Sequence, residues 1–521
     1  MAGYSRPGVF TEEILNPIAP RSGVTTNAIA AFVGASDRGP VTPQVVSSWP
    51  DYVALYGSWN TTQNNNLPLA LFTYFTNGGR DAVVLRVAAS GATTATRAVL
   101  DRKVSSPPTT LTINAISPGA WGNNISFDIT DSTYTTTPGT VTRFNLTVRY
   151  GGSTNNFVVE SFTDLSMDPT SGRYFASIIN GNSAWITVTD NASTTAAPLN
   201  IPALSSNVSL ATGSDSGQPA TSAIVSGATA SLIDYFRPMV LNVPGVTAAA
   251  DVNPLIAFAE ARGDVFVVID PLLDVTSSGV LNEQTLAASY TSSSYAAVYY
   301  PAPVIADPLN SMATSGAIRQ VYPGGMIVGQ YMATDASRGV FKAPAGISNK
   351  LAGVVSVKRL SDTELNNLNS GTTPTGTPAG APAINAIKMV PGSGICVFGA
   401  RTLKPGAVDR YVPVRRTLIE VRKSLTVATQ FAQFEPNDAR LWDRLKSVAT
   451  QYLTQLWQSG GLKGDKASDA FYVKCDASLN TTSVIDAGEV RMEIGVALQR
   501  PAEFVIIRIG QYEGGSSVQE V

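Results

Sequence analysis

DVFVVID, residues 264–270, sets five consecutive apolar residues between two aspartates. An apolar run of that length without polar alternation describes a strand covered on both faces, as in a parallel sheet. Working outward, AIAAFVGA (28–35) and DAVVLRVAA (81–89) read the same way. Between them Ser48 is placed to cap a helix through WPDYVALYG, with Pro50 in its first turn and Gly57 ending it. Residues 67–76 read as a second helix stopped by Gly78 and Gly79, and residues 254–261 read as a helix just ahead of 264–270. Strands alternating with helices define an α/β domain, here divided between residues 21–102 and 232–368.

The interruption, residues 103–231, has a different chemistry. It holds seven acidic and four basic residues, and short β-prone runs such as FNLTVRY and AWITVTD lie between Gly, Pro and Asn turns. That pattern predicts an inserted β-rich domain. Residues 369–383, which include NSGTTPTGTPAGAP, form a linker or loop without core-forming side chains. Charge returns beyond it: residues 401–508 carry sixteen basic against twelve acidic residues, net +4. Val414, Leu418, Val421, Leu425, Ala428 and Phe431 keep three-to-four spacing along one helix. Leu441, Leu445, Val448, Tyr452 and Leu456 do so along the next, with Asn437 or Asp438 as its cap. GEVRMEIGV alternates as a half-buried strand, and PAEFVIIRI (501–509) reads as another. Residues 384–500 are thus an α+β C-terminal domain, framed by extended arms at 1–20 and 501–521.

Composition bounds the chemistry. The 521 residues are 44% hydrophobic and only 14% charged, with a net charge of −2. Such a balance argues against a dedicated binder of nucleic acid or anionic membrane, and no run is long and apolar enough to span a bilayer. No N-terminal signal peptide is visible, which points to cytoplasmic synthesis and assembly. The chain contains no histidine, so Ser-His-Asp and Cys-His catalysis and histidine-ligated metals are excluded. Cys396 and Cys475 cannot build a multi-cysteine zinc site; they read as buried free thiols, with an intersubunit disulfide as the alternative. No cofactor or metal is expected, and the chain reads as a non-enzyme.

Several segments, in chain order, resemble the contractile tail sheath family of bacteriophages. RPGVFTEE and AAFVGASDRGP resemble its N-terminal signature. SPGAWGNNISF (117–127) and VESFTDLSMDPTSGRYFASIIN (159–180) resemble motifs of its β-domain, and SSYAAVYYPAPVIADP (293–308) and DASRGVFKAPAG (335–346) those of its middle domain. The C-terminal block is the most specific: GARTL, VPVRRTLIEVRKSL, FEPNDARLW, DAFYVKCDASLN and PAEFVIIRI. LATGSDSG (210–217) departs from the family's GGxDG-like stretch, which affects one loop.

The resemblance implies a subtilisin-like α/β middle domain and a structural role. Subunits would polymerise helically around an inner tail tube, meet baseplate and tail terminator proteins, and contract from a metastable extended state within a virion. It further implies that the arms exchange strands between subunits, through Tyr4, Val9 and Phe10 at one end and Phe504, Val505, Ile506 and Ile507 at the other. Taken by itself, the N-terminal arm reads as a loose tail, and 501–509 could equally close its own domain's sheet. Arg415, Arg416, Arg422 and Lys423 read as a solvated helix face or as intrachain salt bridges; under the resemblance they would instead pair with acidic groups on the inner tube or on adjacent sheath subunits. A phage-tail-like bacteriocin or secretion-system sheath is the nearest alternative. A hydrolase on the subtilisin-like scaffold is a more distant one; for it Asp270 would be the triad aspartate, against a plain capping role.

Overall fold

A computed structural model describes residues 28–61, 63–102, 107–134, 141–151, 156–193, 195–197, 199–273, 279–310, 317–370, 382–406 and 409–503. The chain forms two compact units. One spans 26–336 and 344–406; the other contains 337–343 and the C-terminal residues from 407.

The larger unit is organised by an eight-stranded sheet. Its order is 394–398, 385–390, 296–300, 265–269, 239–242, 29–34, 82–86, 44–46. The inner six strands are parallel, and the outermost strand at each side runs antiparallel. Register is set by pairs such as Phe32 with Val84 on one side and with Asn242 on the other. Every residue of Ile29–Gly34, Ala82–Arg86, Met239–Asn242, Val265–Ile269 and Ala296–Tyr300 is buried. This is the physical reason their sequences show unbroken apolar runs. Each fully buried Val, Leu or Ile contributes about 1.5–3 kcal/mol of transfer free energy, set against the entropy of ordering the chain.

The first helix begins and ends where the sequence predicts. Ser48 caps Trp49–Tyr56 by accepting from the Asp51 amide, and Gly57 ends it. The second helix is Asn66–Thr76. The helix before 265–269 is longer than read, Ala249–Arg262, and accommodates Pro254 internally. Helix Gly324–Arg338 lies almost directly on the backbone of Asn66–Thr76. A Cβ at Gly325 would sit 2.0 Å from the Ala70 carbonyl oxygen, and one at Gly329 2.7 Å from that of Tyr74. The four-residue spacing places both glycines on one helix face, and only glycine permits this approach.

The inserted domain is a pair of antiparallel sheets, three-stranded (96–100, 109–115, 186–190) and four-stranded (205–209, 125–131, 143–150, 157–166). Its strands alternate: in Arg143–Tyr150, Phe144, Leu146 and Val148 point into a core with Trp121, Phe127, Phe175 and Ile179. It begins earlier than read, because Thr93 pairs with Ser214 and Thr96 with Ala211. Its C-terminal limit also moves, since helix Thr221–Leu232 packs on strand Ile29–Gly34 and helix Ala249–Arg262 of the α/β body. Two arginines fasten the domain to that body. Buried Arg86 donates to the Ser36 and Gly39 carbonyls and to Ser117 Oγ, and its burial lowers the guanidinium to about 10. The Arg38 guanidinium lies 5.1 Å from the Tyr150 ring centroid and 4.9 Å from that of Trp185.

A further boundary shifts as well. Residues 385–398, read as the start of the C-terminal domain, complete the large sheet through Tyr299·Asn385 and the hairpin 385–390/394–398.

Candidate assembly interface

The smaller unit is built on two helices. Pro413 sits in the first turn of Val412–Ala428. Asp438 caps Ala439–Gln458 by accepting from the Leu441 amide, which decides between the two candidate caps. The long helix closes two small apolar clusters. Tyr452 and Leu453 join Val421, Leu462 and Ala470; Leu441 and Leu445 join Cys475, with Phe431, Trp442, Val490 and Met492 packed around them.

Against these clusters lies a two-stranded antiparallel sheet, Phe471–Lys474 with Glu493–Val496. The Ala497 amide donates to the Ala470 carbonyl at 3.0 Å, so Phe471·Val496 is a non-hydrogen-bonded pair. Alternation then makes Tyr472·Gly495 the bonded pair and turns the main-chain N–H and C=O of Val473 and Ile494 toward the two outer edges. The Tyr472 ring covers Gly495, where a Cβ would come within 2.1 Å of Tyr472 Cε1. Among the described residues the sheet stops at two strands. A ribbon of two strands is marginal by itself, and its edges are templates for further strands.

The strand read across 488–496 is shortened for a local reason. Asn480 accepts from the Arg491 amide at 2.6 Å and donates to the Arg491 carbonyl at 2.9 Å. A side chain therefore occupies the main-chain groups that strand pairing would use, and regular pairing begins at Glu493.

The proposed strand-exchange residues Tyr4, Val9, Phe10, Phe504, Val505, Ile506 and Ile507 lie outside the described residues. The described chain leads up to them: Gln499 donates to the Leu462 carbonyl, and the Tyr411 hydroxyl reaches Glu503 at 3.3 Å. The basic cluster divides. Arg415 and Arg416 are buried, at 2% and 3% exposure, and Arg415 Nη2 lies 3.3 Å from Asp409 Oδ2. A guanidinium this deep is held by its partner and is not presented to solvent within this chain, so of the two readings open for Arg415 the intrachain ion pair holds and the solvated face does not. Arg422 and Lys423, one to two turns on, are half-buried.

Cys396 and Cys475 are buried free thiols; burial pushes Cys475 up to about 11, which makes it a poor nucleophile. Asp270 serves as a cap. It accepts from the Gly324 amide at 2.7 Å, the Gly245 amide at 3.1 Å and Asn242 Nδ2 at 3.3 Å. Burial raises it to about 6 all the same. Among the described residues no cluster of His, Cys, Asp or Glu could hold a metal, and no helix is long and apolar enough to cross a membrane.

This architecture is the fold of contractile sheath proteins, and the resemblance read from the sequence motifs stands. Residues 409–511 match the phage tail sheath C-terminal domain, the segment that holds the two-stranded sheet. Over 126 residues the chain is 30% identical to the tail sheath protein of Vibrio phage KVP40, a stretch covering 24% of this chain and 18% of that relative. The sheath of an extracellular contractile injection system, PVC, solved in its contracted state, superposes over 98% of this chain and 99% of its own. Its TM-score is 0.55 at 23% identity. The sheath tail protein of Listeria innocua covers 88% of this chain and 90% of its own, with a TM-score of 0.58 at 13% identity.

Proposed function

We propose that this chain is the structural subunit of a contractile tail sheath. The observation that carries the proposal is the match of residues 409–511, which falls on the unit whose small sheet turns main-chain groups outward at both edges. Identical subunits joined through such edges form heterologous contacts that do not close, and the product is an open helical tube. The terminal arms, through Tyr4, Val9, Phe10 and Phe504–Ile507 (504–507), supply the added strands in this reading. Each main-chain hydrogen bond contributes only about 1 kcal/mol net, but several loaded together keep neighbours joined while side-chain interfaces exchange.

The tube surrounds an inner tail tube and engages baseplate and terminator proteins, within a virion assembled in the host cytoplasm. Arg422 and Lys423 are the better candidates for tube contact, because Arg415 and Arg416 are spent inside the chain. Contraction draws on a kinetically trapped extended lattice that relaxes to better interfaces, and no catalytic step is involved. The α/β body belongs, in the same proposal, to the subtilisin-like folds. It does not act as a hydrolase, since Asp270 directs its oxygens at Gly324, Gly245 and Asn242 and the sequence has no histidine. Full-length coverage of the PVC sheath favours, as the second reading, a phage-tail-like injection particle. Negative-stain microscopy of the purified chain is the test. Tubes or stacked rings are expected, and a monomer at every concentration and ionic strength would sink the proposal.

A further inference from the structure

Between the two helices of the smaller unit the chain makes a tight turn, Ala432-Gln433-Phe434-Glu435. The Glu435 amide donates to the Ala432 carbonyl at 3.3 Å, Gln433 has φ −66° and ψ 128°, and Phe434 has φ +64°. This is a type II turn with phenylalanine at the position that normally requires glycine. Phe434 is also 88% exposed, the most exposed large apolar side chain among the described residues. A bulky residue in a left-handed conformation, with its ring in water, is doubly disfavoured in the isolated chain. Its surroundings nevertheless hold it firmly. Phe431 and Ala432 pack on the Leu441/Leu445 cluster, and the Arg444 guanidinium lies 4.2 Å from the Phe431 ring centroid. Asn437 donates to the Glu489 carbonyl and accepts from Trp442 Nε1, both at 2.8 Å, while Asp438 caps the next helix. The turn thus presents one aromatic side chain from a firmly held backbone, the form that binding anchors take.

We infer that Phe434 is an intersubunit anchor, and that its receiving surface is the three-stranded sheet of a second copy's larger unit. The inference rests on the sheath reading, in which each subunit needs two different complementary surfaces. The chain carries both. In that sheet, of order 318–320, 304–306, 354–356, the two outer strands expose Ile318 at 61% and Val355 at 56%. They flank the central strand, Ile318 opposite exposed Ala306 and Val355 at the register shift beside Val304 and Ile305. Charge agrees with the apolar match: exposed Glu435 follows the anchor, and strand Val354–Ser356 runs into Lys358 and exposed Arg359.

The test uses full-length Phe434→Gly, which removes the ring and relieves the turn at once. Its melting temperature should hold or rise by about 2 °C, while the concentration needed for assembly, read by sedimentation and microscopy, rises about ten-fold. Ile318→Asp should raise that concentration similarly. The double variant should stay near ten-fold and not reach the roughly hundred-fold of independent sites. Lower melting of Phe434→Gly would mean that the ring packs within its own chain and would overturn the inference. Assembly at the wild-type concentration would overturn it too, leaving the sheath reading intact. A multiplicative double variant would remove the receiving surface from the proposal. Failure of the wild-type chain itself to assemble removes the sheath reading, and this inference with it.

Discussion

The eight-stranded sheet and the two-stranded sheet of this chain are opposites in completeness. In the first, five successive parallel strands are buried at every residue, and two of the unit's helices lie on each other closely enough to need Gly325 and Gly329. In the second, Phe471–Lys474 and Glu493–Val496 lie over small apolar clusters, with the main-chain groups of Val473 and Ile494 directed to the edges. Among the described residues one sheet is finished and the other stops at two strands, and in the sheath proposal this separates folding from assembly. Stability is concentrated where solvent is excluded, and the proposal places association where pairing capacity is left at an edge.

The largest effect expected from this contrast is at the centre of the finished sheet. Leu241→Ala removes buried methyl groups from strand Met239–Asn242, and a loss of about 2–5 kcal/mol is expected by denaturant unfolding. A loss below about 1 kcal/mol would mean that this sheet is not the stabilising core.

Asp270 is the costly group inside that same region. Its folded pKa of about 6 lies above the ordinary 3.8. Below about pH 4 it is protonated whether folded or unfolded. Between about pH 4 and 6 the folded state keeps a proton that the unfolded chain has released, so stability falls as pH rises, then levels off. The sum is roughly 3 kcal/mol. Asp270→Asn should flatten the wild-type slope in that window, measured as the difference between the two unfolding curves. Parallel curves would show that Asp270 is ionised without cost.

At the unfinished sheet the signs reverse. Val473→Pro deletes an N–H directed outward, so the isolated chain should lose no more than about 1–2 kcal/mol, since proline is tolerated on strand edges. Tube formation should nonetheless need a concentration about ten-fold higher, because one added-strand hydrogen bond and its neighbours are blocked. Unfolding of the variant would show that the edge is already paired within its own chain. The smallest effect belongs to the half-buried cations. Arg422→Glu with Lys423→Glu should weaken tube docking by about 1 kcal/mol at low salt, and by less near 0.5 M salt. A salt-independent change would remove them from the tube contact.

Much of this molecule is local in origin and was therefore readable from residue order. Continuous apolar runs marked 29–34, 82–86 and 265–269 because burial on both faces admits a polar side chain only where it is fully bonded, as at Arg86. The β-prone run FNLTVRY between turns marked the strand at 143–150, and its alternating burial shows that one face turns to the core. Ser48 and Asp438 act on amides three residues away, so their capping roles need no distant partner. Tertiary structure alone decided what depends on residues far apart. Hairpin 385–398 joined the large sheet through Tyr299·Asn385, and Asn480 took the main-chain groups of Arg491 and shortened a strand whose alternation was correct. Arg415 went inside beside Asp409, where residue order had left a solvated face and an intrachain ion pair both open. Phe434 stayed outside at a glycine's φ, which nothing in its local sequence marked. Periodicity reports which face of an element is covered. Which strand becomes its neighbour, and which charge or ring the covering admits, is settled by long-range contacts that no short window of sequence contains.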